Sequence, residues 1–128
     1  MTDLEYLLES KQFEFPKECR LLTSEEYNFV FSNPYKVANN YFLILARENN
    51  LEYSRLGLIV AKKNVRKANK RNRIKRIVRE SFRCNKNTLK NLDIIFLARR
   101  DIGILTNIEL RERLDSKWKR LSLSYKTH

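Results

Sequence analysis

A chain of 128 residues is long enough for one compact domain and too short for two with separate cores. Hydrophobic residues make up 42% of it, with seven Phe and six Tyr, which supplies a core and excludes a disordered chain despite 33% charged residues. Lys and Arg outnumber Asp and Glu by 27 to 15, and the formal net charge of +12 predicts attraction to polyanions, either nucleic acid or an anionic membrane surface.

Residues 1–12 read as an acidic extension in which Leu4, Leu7 and Leu8 pack as a short helical turn. This start has no continuous apolar core of signal-peptide length. The longest apolar runs, such as 42–46, are far too short to span a bilayer. Cys19 and Cys84 match no metal-ligand spacing and read as small buried or half-buried hydrophobes. These features predict a cytoplasmic protein with reduced thiols and no membrane partner.

The stretch 13–22 reads as an extended lead-in, because Pro16 disfavours helix at Phe15. Thr23 and Glu26 then make a capping-box pattern, opening a helix with Tyr27, Val30 and Phe31 on one face. Asn33-Pro34 ends it. Strands follow at 41–47 and 56–61, joined by the polar loop 48–55, and a third at 92–98 is rich in Ile and Phe. A second capping box, Thr106 with Glu109, opens a helix in which Leu110, Leu114, Trp118 and Leu121 recur at helical spacing. The order defines one α+β domain over 13–124, with a tail at 125–128.

Position matters more than the total charge. Between Lys62 and Arg83 stand eleven basic residues and a single acid, Glu80, so this stretch carries +10 of the net +12. From about Lys70 to Arg83 the pattern is helical. Ile74, Ile77, Val78, Ser81 and Phe82 gather on one side, and Asn72, Lys75, Arg76, Arg79 and Arg83 on the other, with Arg71 and Arg73 on the flanks. A solvated surface helix usually alternates signs four residues apart, whereas like charges stacked three and four apart repel until a counter-charge arrives. A membrane-surface helix would need its large apolar residues for lipid, and here the core requires them. Nucleic acid is the partner this face fits. Arginine forks grip phosphate in bidentate fashion, and Asn72 can bond a base edge or a sugar hydroxyl. Charge alone leaves DNA and RNA open.

The run from Val65 to Arg79, with Arg71-Asn72-Arg73 followed by Ile74-Lys75-Arg76, closely resembles the signature of the bacterial ribonuclease P protein family. The flanks agree: Gly57-Leu58-Ile59-Val60-Ala61-Lys62-Lys63 before it, Glu80-Ser81-Phe82-Arg83 after it, and Phe15-Pro16-Lys17-Glu18-Cys19-Arg20-Leu21-Leu22-Thr23 upstream. The resemblance runs from about Phe15 to about Arg120. It implies a four-stranded sheet with three helices in the order αβββαβα, ribosomal-protein-S5-domain-2-like, with a left-handed βαβ crossover and a short extra strand near 36–39.

The resemblance also implies a division of labour. A large catalytic RNA, through magnesium ions that it binds itself, hydrolyses precursor tRNA and releases the 5′ leader. The protein binds that RNA through Arg66, Lys67, Lys70, Arg71, Asn72, Arg73, Lys75, Arg76, Arg79 and Arg83. A cleft formed by Tyr27, Phe31, Phe42, Lys62 and Lys63 holds the single-stranded leader, and the protein lowers the magnesium requirement. No protein-bound cofactor, metal site or obligate protein partner is implied. Read from the residues alone, Tyr27 and Phe31 also fit ordinary core packing, four apart on one helical stripe, and Phe42 reads as core. The alternative function is another RNA-binding or RNA-chaperone protein, such as a ribosomal component.

No catalytic residue is assigned to the chain. The only histidine is His128, at the end, and the acids scatter: Asp93 at a strand start, Asp101 near Gly103, Glu109 in a cap, Glu80 among cations. A protein nuclease would need clustered carboxylates or a histidine acid–base pair.

Overall fold

The computed structural model describes residues 17–126. The acidic extension, the Phe15-Pro16 step and His128 lie outside the described residues. The elements are helix α1 (Ser24–Ser32), strands β1 (Tyr35–Ala38), β2 (Phe42–Glu48) and β3 (Arg55–Ile59), helix α2 (Ala68–Asn85), strand β4 (Leu92–Ala98) and helix α3 (Asn107–Lys126). Short 3₁₀ turns occupy Lys17–Cys19 and Arg100–Ile104. The order is the expected αβββαβα.

Both caps form as the sequence predicts. Glu26 N–H donates to Thr23 Oγ1 at 3.2 Å, and the Glu26 carboxylate accepts from the N–H groups of Thr23 and Leu22 at 2.9 and 2.7 Å. At α3, Glu109 N–H donates to Thr106 Oγ1 at 3.1 Å and the Glu109 carboxylate accepts Thr106 N–H at 3.0 Å. Each box satisfies amides that the first helical turn leaves without partners.

The sheet order is β1-β2-β4-β3. β2 pairs antiparallel with both β1 and β4, whereas β3 and β4 run parallel, so α2 is the crossover between neighbouring strands. β3 is shorter than the expected 56–61. Its ladder ends at Ile59 opposite Leu97, after which the Ala61 carbonyl accepts the N–H groups of Asn64 and Val65 and turns the chain. The lead-in also differs from a plain extended segment: after the 3₁₀ turn, Arg20 bridges Leu56 and Leu21 N–H donates to Leu56 O at 3.0 Å, covering the outer edge of β3.

A strand period of two divides the side chains between two cores. Phe42, Ile44, Ala46, Leu92, Ile94 and Phe96 face α2 and α3, where they meet Ile74, Ile77, Val78, Phe82, Leu110, Leu114 and Trp118. The rings of Phe82 and Trp118 meet edge to face at 6.1 Å. Trp118 Nε1 donates to Ser81 Oγ at 2.8 Å, and that hydroxyl donates to Asp115 at 3.0 Å, which explains how a serine sits on the buried stripe. On the opposite sheet face a smaller core joins Leu21, Val30, Leu45 and Ile95 under α1.

The expectation for Cys84 is corrected. Cys19 is buried, and burial pushes its thiol above the usual value against the lowering effect of the Lys86 charge. Cys84 is exposed. It falls at the edge of the α2 stripe, where the helix parts from α3 and opens a groove of about 890 Å³ also lined by Arg83, Asp115 and Lys119.

Candidate nucleic-acid interface

The α1 side of the sheet is only half covered, and the register shows which half. Three rows of side chains face α1. In the first, Arg55, Asp93 and Arg47 stand side by side across β3, β4 and β2; in the second, Gly57, Ile95 and Leu45; in the third, Ile59, Leu97 and Leu43. α1 crosses the first two rows and is pinned at both ends. At its start, the Arg55 guanidinium donates to Glu26 at 2.6 Å and, in bidentate fashion, to buried Asp93 at 2.8 and 2.6 Å. Asn49 Nδ2 donates to the same Asp93 carboxylate at 2.7 Å. At its end, Arg47 Nη1 donates to Phe29 O at 2.7 Å and Ser32 Oγ at 2.8 Å, with its guanidinium 3.9 Å from the Phe29 ring centroid.

The third row remains half-buried and forms the floor of an open groove. Tyr27, half-buried, lines its α1 side, seated above Gly57. Phe31 lies one helical turn further on the same side of α1 and is 42% exposed, too open for a core role. Lys62 and Lys63 occupy the turn after β3 and are exposed, at the Ile59 end of this floor. Tyr27 and Phe31, on one side of α1, and Lys62 and Lys63, in the turn after Ile59, thus border the third row.

Phe42 does not. Alternation along β2 places it with Ile44 and Ala46 on the other sheet face, fully buried, its ring 5.2 Å from that of Phe96. The floor that replaces it, Leu43, Ile59 and Leu97, was missed in the sequence. Its signal was there: these residues alternate with core positions, but only α1's placement tells which apolar face stays uncovered.

On the far side of the sheet, α2 buries the expected apolar stripe and presents its cations outward. Asn72, Arg76 and Arg79 are exposed on the helix, and Arg76 and Arg79 meet no carboxylate among the described residues. Arg66, Lys67 and Lys70, at the helix start, are exposed as well. Lys75 is half-buried on the flank. Arg71 and Arg73 have structural duties. Arg71 Nη1 donates to the carbonyls of Val65 and Arg66 at 3.0 and 2.7 Å, fastening the loop that precedes the helix. Arg73 Nη1 donates to Asn107 Oδ1 at 2.6 Å and Leu105 O at 3.3 Å, fastening α2 to the start of α3. Arg83 is half-buried, and its Nε has no hydrogen-bond partner among the described residues.

Several carboxylates are committed to structure. Backbone donors from Leu22 and Thr23 hold the Glu26 carboxyl below its ordinary range, with Arg55 adding to the effect against partial burial. The Thr106 N–H and hydroxyl do the same for Glu109. Among the described residues no three His, Cys, Asp or Glu side chains form a group able to hold a metal ion. None of the described helices is long and apolar enough to cross a membrane.

These features define an α+β protein with two surfaces suited to a polyanion, an apolar groove flanked by lysines and a cationic helix. A profile of the Ribonuclease P family matches residues 15–122. The ribonuclease P protein component of Pseudomonas aeruginosa (strain LESB58) is 48% identical over 109 residues, covering 84% of this chain and 81% of its own. That of Histophilus somni (strain 2336) is 49% identical over 106 residues, covering 83% and 89%. Among solved structures, the RNase P protein of Thermotoga maritima superposes with a TM-score of 0.72 at 37% identity, over 79% of this chain and 98% of that one. The Staphylococcus aureus protein gives 0.74 at 29% identity, over 80% and 94%. The chain belongs to the ribonuclease P protein family, and its role is in 5′ processing of tRNA.

Proposed function

We propose that this chain binds the catalytic RNA of ribonuclease P through α2 and the loop before it, and holds the 5′ leader of precursor tRNA in the groove beside α1. The observation that carries the reading is the pairing of two unlike surfaces on opposite sides of one sheet. One is a row of exposed cations on α2; the other is a half-open apolar floor edged by Tyr27, Phe31, Lys62 and Lys63. Double-helical RNA offers phosphates to the first, while a single strand offers bases and phosphates to the second, where stacking contributes about 1–3 kcal/mol per base.

The catalytic centre belongs to the RNA. Magnesium bound there supplies the activated water and offsets charge at the phosphate. The protein's cations reduce repulsion between the two RNAs, which lowers the magnesium concentration the reaction needs. Arg66, Lys67, Lys70, Asn72, Lys75, Arg76, Arg79 and Arg83 contact the catalytic RNA, with Arg71 and Arg73 shaping that surface as they contact it. The protein works in the cytoplasm without an obligate protein partner.

The test is precursor-tRNA cleavage at low magnesium with RNA alone, protein alone, and both. Cleavage at the mature 5′ end only in the combined reaction is the expected result. Cleavage by protein alone would move catalysis onto the chain, and no enhancement with competent RNA would refute the subunit role.

A further inference from the structure

At the start of α2 the cationic surface turns a corner. The loop before the helix and its first turn meet the 3₁₀ turn Arg100–Ile104 around a recess of about 270 Å³. Its wall includes Arg66, Lys67, Lys70, Arg100, Gly103 and Ile104, and no carboxylate lines it. The volume lies below the range of about 300–1,000 Å³ that encloses a drug-sized ligand, so it suits a single ring system. Arg100 is exposed, and reaches this place from a segment remote in sequence from the other three cations.

Ile104 stands in the recess wall. It is 73% exposed, as Ile108 is at 71%, while its neighbours Ile102 and Leu105 are buried. The turn thus spends two side chains on the core and holds the third in water beside four positive charges. A lone exposed isoleucine needs no explanation. One forming the wall of a cationic recess matches a ligand with an apolar face and negative flanks.

We propose that this recess receives one unpaired nucleotide of the ribonuclease P catalytic RNA, its base face on Ile104 and its flanking phosphates on Arg100, Arg66, Lys67 and Lys70. This rests on the reading that α2 docks on that RNA. A paired nucleotide has its base faces stacked and hidden, so only an extruded one fits. The catalytic RNA is the source because the recess is continuous with the start of α2, whereas the leader groove lies on the α1 side of the sheet.

Gly103 offers a test position. A β-carbon there meets no atom within 4 Å, so a larger residue is accommodated without a clash and adds bulk at the wall of the recess. Affinity of the full chain for catalytic RNA alone is measured by filter binding across a salt series. Gly103→Leu and Ile104→Ala are each expected to weaken binding about tenfold with the salt slope unchanged, the signature of a lost base contact. Arg100→Gln is expected to lower the salt slope by about one. Chemical probing of the RNA identifies a nucleotide shielded by the wild type and open with Gly103→Leu. If both recess variants bind like wild type while Arg76→Ala/Arg79→Ala loses affinity, the recess proposal fails and the docking reading stands. If the arginine variant also binds like wild type, the docking reading fails too. A loss confined to precursor-tRNA binding would overturn the assignment to the catalytic RNA.

Discussion

The ring of Tyr27 rests on the backbone of Gly57: a methyl group there would stand 2.6 Å from the tyrosine hydroxyl oxygen and 2.7 Å from two ring carbons. Those separations are far inside van der Waals contact, so Gly57 is the strand position that lets α1 approach the sheet and sets the depth of the groove. Gly57→Ala is expected to cost about 1–2 kcal/mol of stability by overpacking. Adding Tyr27→Ala should return part of that loss, and a double-mutant cycle in urea denaturation measures the coupling. Additive effects would mean that the ring and the strand do not constrain each other.

Arg55 is the second pin. Its removal leaves Asp93 fully buried with only Asn49 as side-chain donor among the described residues. Arg55→Ala should therefore destabilise by about 3 kcal/mol, near the lower end for a broken buried pair because Arg55 is itself partly solvated. Replacing Glu26 by Gln should cost far less, since the amide oxygen can still accept from backbone N–H groups and Glu26 is only partly buried. Chemical denaturation of the two variants checks the ranking.

The caps predict a pH dependence. The Glu26 and Glu109 carboxyls both sit below their ordinary value of 4.5 in the folded chain. A depressed folded value means stability that is present above 4.5 and lost as pH falls through the lower folded value. Denaturation midpoints should fall over that acid window, and the Glu26→Gln/Glu109→Gln variant should show a flatter profile there. Equal slopes in the two proteins would contradict the capping account.

The cations of α2 divide by what they hold. Arg76→Ala and Arg79→Ala should leave stability unchanged, weaken RNA binding, and lower its salt slope by about one each. Arg71→Ala, which frees the Val65 and Arg66 carbonyls, should also cost about 1–2 kcal/mol of stability. Filter binding and thermal melts on the same preparations separate the two groups.

Phe31 tests the groove. Because its ring is exposed, Phe31→Ala should barely alter stability yet weaken binding of precursor tRNA with a leader several-fold. Mature tRNA, lacking the leader, should bind wild type and variant equally well. A matching loss on both would place Phe31 outside the leader site.

Local chemistry made several features legible in the sequence. Thr23 with Glu26, and Thr106 with Glu109, carry their own hydrogen-bonding partners within one helical turn, so the starts of α1 and α3 needed no tertiary information. The 3.6-residue repeat separated Ile74, Ile77, Val78, Ser81 and Phe82 from Arg76 and Arg79, and all five of the first group are buried.

Other features depend on residues far apart in the chain, and only the tertiary structure decided them. A strand period of two tells which residues share a face but not which face a helix will cover, so Phe42 went to the closed side and Leu43 to the groove floor. Spacing put Arg71 and Arg73 on the flanks of α2 but could not show what they hold, since a partner such as Asn107 for Arg73 arrives from a distant segment. The recess at Ile104 belongs to the same class. Periodicity reports how a segment is wound, whereas a site is made where the winding ends and separate segments meet.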